Sequence, residues 1–138
     1  MSEIAKRRVT TEAGISWQPT EEQEQEAVME WAMLMEKQYP ELALLFHIAN
    51  GGDRHPAVAA KLKKQGVKPG VPDLFLPVAR GGFHGLWVEM KRQKGGRLSD
   101  EQKAWIDALT AEKYLAVRAD GAEAACDVIY KYLTETEQ

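Results

Sequence analysis

Two apolar runs, Val71 to Val78 and Phe83 to Lys91, flank the pair Gly81-Gly82. A glycine pair between two strand-like runs predicts a β-hairpin. Pro72 and Pro77 lack a backbone N–H, so the first run pairs over a short length or lies near an edge. The second run alternates: Leu86, Val88 and Met90 take one face, and Trp87, Glu89 and Lys91 take the other. A carboxylate and an ammonium therefore share a face. The hairpin brings a second carboxylate, Asp73, from the start of the first run toward Glu89.

The rest of the chain reads as helices and strands around this hairpin. Residues 1 to 19 show no clear periodicity and read as a flexible or loosely packed arm. Thr20 and Gln23 form a capping box for a helix from about Glu21 to Gln38, with Ala27, Val28, Trp31, Leu34 and Met35 at helical spacing and Pro40 as its stop. Leu44 to Ala49 reads as a strand running into the turn Asn50-Gly51-Gly52. Ala57 to Gln65 reads as a short helix closed by Gly66. Ser99 and Gln102 form a second capping box, opening a helix to about Glu112. Tyr114 to Ala119 is the next strand. A final helix to about Leu133 carries Ala122, Ala125, Cys126, Ile129 and Leu133 on one face. The expected fold is an α/β domain over residues 20–134, with one central sheet flanked by helices.

Charge is unevenly spread. Residues 54–103 hold 11 Lys and Arg against 4 Asp and Glu, whereas the remainder holds 7 against 17. The middle of the chain can attract a polyanion, although clustered charge on solvated faces is the plainer explanation. Cys126 is the single cysteine, which excludes an intramolecular disulfide and a cysteine-built metal cluster within one chain. No apolar run approaches the ~20 residues of a membrane span. The start MSEIAKRRVTTEAG has no apolar stretch after its basic residues, so no secretory signal is expected and a cytoplasmic location is.

Two convergent carboxylates beside a lysine suit a hard divalent cation. Mg²⁺ takes oxygen ligands and is commonly held by one or two carboxylates plus phosphate oxygens. The lysine can hold a water or stabilise charge that develops on a phosphoryl group. As a bare pattern, Asp followed by Glu-x-Lys also fits a surface ion pair on a half-exposed strand.

The wider motifs narrow the choice. The segments Gly66-Val67-Lys68-Pro69-Gly70-Val71-Pro72-Asp73-Leu74, Glu89-Met90-Lys91 and Gly96-Arg97-Leu98-Ser99-Asp100-Glu101-Gln102 together resemble the VRR-NUC family, the virus-type replication-repair branch of the PD-(D/E)xK nuclease superfamily. The resemblance runs from about Glu21 to Leu133 and implies a restriction-endonuclease-like core. It implies a DNA endonuclease dependent on Mg²⁺, with Mn²⁺ able to substitute, and leaving 5′-phosphate and 3′-hydroxyl ends. Asp73 and Glu89 fall on the family's metal-binding acids and Lys91 on its catalytic lysine. A helix glutamate near the metal aligns best with Glu21, with Glu24 as the rival. Gln102 falls beside the family's active site, although capping of Ser99 explains it equally well.

The resemblance further implies branched substrates such as four-way junctions, a homodimer for paired cuts, and a bacterial or phage-infected host in replication, recombination or repair. Arg54, Lys68, Arg92, Lys94 and Arg97 are the candidate DNA contacts, with Lys61 and Lys64 also near the motifs. Two other classes remain open. One is a DNA-binding module without catalysis; the other is a nuclease subunit active only with a helicase or packaging partner. His47, Asn50 and His55 lack the strand-strand-helix setting of a His-Asn-His nuclease site. Trp31, Trp87 and Trp105 read as core, and Trp17 has no obvious core role.

Overall fold

The computed structural model of the chain describes residues 7–11, 14–49 and 55–136. Capping fixes the helix starts. In α1 (Glu21–Met35), Thr20 Oγ1 accepts from Gln23 N at 3.2 Å and Gln23 Oε1 accepts from Thr20 N at 2.9 Å. The same reciprocal pair opens α3 (Asp100–Ala111), between Ser99 and Gln102. Both boxes lie where the sequence predicts them.

The hairpin forms as predicted. β4 (Leu74–Leu76) pairs antiparallel with β5 (Leu86–Lys91), with Leu74 opposite Val88 and Leu76 opposite Leu86. The turn closes through Arg80 and Phe83, which exchange hydrogen bonds of 2.8 and 3.2 Å across Gly81-Gly82. β4 spans only three residues, because Pro72 and Pro77 bracket it without N–H donors. β6 (Leu115–Asp120) joins β5 in parallel, reached through α3 as the crossover. β3 (Phe46–His47) adds antiparallel to β4, giving a mixed sheet of order β3-β4-β5-β6. β3 is shorter than the predicted strand at both ends, and Leu44 at the predicted start belongs to a 3₁₀ turn, Pro40–Leu44. Pro40 presets the turn's φ, and Leu42 and Leu45 are both buried at its three-residue spacing.

The core lies on one face of the sheet. Leu74, Leu76, Leu86, Val88 and Met90 pack there with Val28 and Ala32 of α1 and with Ala125, Ile129 and Leu133 of α4 (Ala122–Thr134). Tyr132 Oη donates to the Val78 carbonyl at 2.6 Å, so this buried hydroxyl is satisfied. Leu34, expected in the α1 stripe, is 70% exposed. At 100° per residue it lies about 120° around the axis from Val28, past the edge of the packed stripe. On the opposite face Phe75 and Trp87 stack with ring centroids 4.1 Å apart, and Trp87 is half-buried rather than core.

The expected arm contains a hairpin. β1 (Arg7–Thr11) and β2 (Gly14–Gln18) pair antiparallel, with Arg7 opposite Gln18. Val9, Thr10, Thr11 and Ile15 are β-branched and favour the extended backbone, in strands too short to show a clear period. Gln18, 8% exposed, fastens the hairpin to the body: its amide donates to Lys94 O and accepts from Lys94 N, both at 3.1 Å. Among the described residues no helix is long and apolar enough to cross a membrane.

Candidate active site

Asp73 directly precedes β4 and is held from two sides. Its carbonyl accepts from Ile48 N at 2.8 Å and from His47 Nδ1, which must carry the proton, at 2.8 Å. Its Oδ2 accepts from Met90 N at 2.8 Å. The carboxylate therefore bridges to β5, beside Glu89. The loop before it is seated on the start of α3 by Gly70: a Cβ there would lie 2.6 Å from the Glu101 carbonyl carbon, and the φ of +91° disfavours any side chain.

Glu89 and Lys91 follow on the same face of β5 and are 1% and 4% exposed. No donor among the described residues reaches Glu89 Oε1, a buried oxygen without a partner. Burial is the main reason that the Glu89 pKa is pushed up to about 9. Asp73 adds to the rise through a side-chain hydrogen bond and its charge, Glu21 adds a smaller push, and Lys91 opposes them. Burial and the neighbouring Asp73 thus disfavour the charged form of Glu89.

Lys91 is oriented by α3. Its Nζ donates to Gln102 Oε1 at 3.0 Å, and Glu21 Oε1 lies 4.0 Å away. Gln102 Oε1 also accepts from Ser99 N at 2.8 Å. One amide oxygen thus closes the cap and holds the lysine. Gly96 packs on the lysine stem: a Cβ there would sit 2.9 Å from Lys91 Cβ.

The two rival glutamates of α1 separate. Glu21 lines the cleft with Asp73 and Glu89. Glu24, 2% exposed, points to α4, where Oε2 accepts from Ala122 N at 2.7 Å and Oε1 from Gln93 Nε2 at 3.1 Å. It caps a helix whose own N-cap residue, Gly121, has no side chain to offer.

The cleft measures about 380 Å³ and is lined by Glu21, Asp73, Glu89 and Gln102. Ala59, Leu62 and Lys63 of α2 (Pro56–Lys64) line it too, with Val67, Pro69 and Gly70. Lys63 is a cleft residue that sequence reasoning missed; its i, i+3, i+4 grouping with Ala59 and Leu62 was the available signal. Lys68 is exposed between two lining residues. Arg92 donates within its own loop, to Lys94 O at 2.8 Å and Gly95 O at 2.7 Å. Lys94 and Arg97 are exposed in the same loop, outside the cleft lining. Arg54 and the turn Asn50-Gly51-Gly52 lie outside the described residues. His55 accepts from Ala57 N at 3.2 Å as the cap of α2, so it and His47 have structural partners.

Among the described residues no three His, Cys, Asp or Glu side chains close into a metal cage. What the site offers is a facing pair, Asp73 and Glu89, with Glu21 at the rim. That number of carboxylates fits a hard cation that keeps part of its water. The unpartnered Glu89 Oε1 fits the same ligand, since a cation would satisfy it and displace the extra proton.

No curated protein matches the chain. A solved structure described as a VRR_NUC domain protein is similar to it, with 33% identity over 87% of this chain and 93% of that one and a TM-score of 0.73. That likeness accords with a restriction-endonuclease-like fold for the mixed sheet and its helices. A family model for the VRR-NUC domain matches residues 2–123, a span that takes in the N-terminal hairpin, the acids, the lysine and Gln102. By this match and by its fold, the chain belongs to the VRR-NUC family of nuclease domains.

Proposed function

We propose that the protein is a divalent-metal-dependent endonuclease that hydrolyses DNA phosphodiester bonds. The observation that carries this reading is the buried, unpartnered Glu89 oxygen beside Asp73, within one face of a strand that also presents Lys91. Asp73 and Glu89 would hold Mg²⁺ or Mn²⁺, with Glu21 assisting from α1. The cation, when bound, polarises a phosphoryl oxygen and makes a nearby water more acidic.

The chain's own groups supply the rest. Lys91, fixed by Gln102 and with its ammonium 4.0 Å from Glu21 Oε1, would orient the attacking water and offset negative charge on the phosphoryl oxygens. Gln102 holds the lysine in place and does not itself react. Burial of Glu89 and Lys91 excludes bulk water from that wall, which strengthens every charge interaction there. Lys68, Lys94 and Arg97 stand outside the acids, where they can meet backbone phosphates and set affinity rather than sequence preference. Arg92 serves mainly to brace its loop.

Family likeness supports a structure-selective cutter of branched DNA, acting as a homodimer in phage or bacterial replication, recombination or repair. Two symmetric cuts across a four-way junction need two such sites. A cleavage time course on linear, flapped and four-way-junction DNA, with Mg²⁺, Mn²⁺ or EDTA, tests this reading. Metal-dependent cutting fastest on the branched substrates is the expected result. Folded protein that binds DNA in the presence of metal and never cuts would point instead to a binding module or a partner-dependent subunit.

A further inference from the structure

We propose that α2 is a strand-binding wall: it holds one nucleic-acid strand against the acids, with Lys63 on the phosphate backbone. This rests on the nuclease reading above. Ala59, Leu62 and Lys63 of α2 line the same cleft as Glu21, Asp73 and Glu89, and among the described residues Lys63 is the one cation in that lining. A nucleic-acid strand offers both anionic phosphates for the lysine and apolar sugar faces for Ala59 and Leu62.

Lys63 lines a cleft that holds three carboxylates, yet among the described residues no ion pair involves it. Its charge is available to a ligand. Lys61 and Lys64 share its turn and extend the positive field along the outside of the helix. Lysines in a last turn also suit the helix dipole, but the dipole makes no demand on where a side chain points. α2 buries none of its residues, so core packing does not explain its apolar cleft face either.

The test compares wild type, Lys63→Ala, Lys63→Arg and Lys131→Ala. Lys131, ion-paired with Asp127 at 3.0 Å on α4, is the control away from the cleft. Binding of a labelled single-stranded oligonucleotide is read by anisotropy across a salt series, alongside KM and kcat for a flap substrate and thermal melting. In Lys63→Ala the Kd and KM rise about tenfold and the salt slope falls by about one, with kcat and melting unchanged. Lys63→Arg restores binding, and Lys131→Ala behaves as wild type. Wild-type Kd, KM and salt slope in Lys63→Ala would overturn the proposal, as would tighter binding of blunt duplex than of single strand. If wild type cuts nothing, the nuclease reading fails separately, and loss of strand binding in Lys63→Ala still supports the wall.

Discussion

Glu21 and Glu24 lie one turn apart on the same helix, and the structure places one in the cleft and the other against the start of α4. Removing Glu24 should unfold the protein more easily. In Glu24→Ala the Ala122 N–H loses its 2.7 Å carboxylate partner, and Gly121 cannot replace it. A hydrogen bond to a charged acceptor contributes about 1.5–3 kcal/mol, and the negative charge at a helix start adds about 0.5 kcal/mol or more. Gln93 also loses its partner but is exposed and can turn to water, so it adds less. The loss comes to about 3 kcal/mol. With an unfolding entropy of about 2.1 cal/mol/K per residue, a chain of 138 residues should melt about 10 °C lower. Glu21→Ala should differ. Its side chain is 44% exposed and its Oε1 lies 4.0 Å from Lys91 Nζ, a pair that contributes at most about 1 kcal/mol. Its melting point should fall by about 3 °C or less, while cleavage drops sharply. Thermal melts and cleavage rates of the two variants, measured side by side, decide the matter. A Glu24→Ala protein that melts like wild type but no longer cuts would refute the assignment.

Two further outcomes follow from the site. Without metal, the protonation of Glu89 supports the folded state fully below about pH 4.5, and that support is lost as pH rises toward about 9. Glu89→Gln should therefore flatten the pH dependence of metal-free melting over that window and raise the melting point at its alkaline end. A metal-free melting series in which Glu89→Gln tracks wild type would count against a buried, proton-holding Glu89. Gln102→Ala removes the lysine's holder and half of a capping box. The expected result is a drop in kcat of about tenfold or more with a modest loss of about 1 kcal/mol in stability, read from steady-state kinetics and denaturant melts.

What was legible in the sequence was mostly local. The capping boxes at Thr20 and Ser99 and the Gly81-Gly82 turn depend on residues a few positions apart, so their chemistry could be read directly. Strand alternation put Glu89 and Lys91 on one face, and the hairpin brought Asp73 beside them. Tertiary facts were not legible. Whether Glu21 or Glu24 faces the cleft depends on where α4 begins, 98 residues beyond Glu24. Gln102 was ambiguous because its cap and its lysine contact use the same oxygen. The contacts of Arg92 with the Lys94 and Gly95 carbonyls were not legible, because they arise only from the bend of the loop. The β1–β2 hairpin escaped notice because its anchoring contact, Gln18 to Lys94, crosses 76 residues. Lys63 stood among other lysines, and only the placement of α2 over the acids distinguishes it.

The central claim is that Asp73, Glu89 and Lys91 form one metal-dependent cutting site. The most direct test is the cleavage rate of a labelled four-way junction by wild type, Asp73→Ala and Lys91→Ala, each with Mg²⁺ and with EDTA. The account predicts cutting by wild type with Mg²⁺ alone, and none by either folded variant. Cutting that persists in EDTA, or that survives in Asp73→Ala or Lys91→Ala, would contradict it.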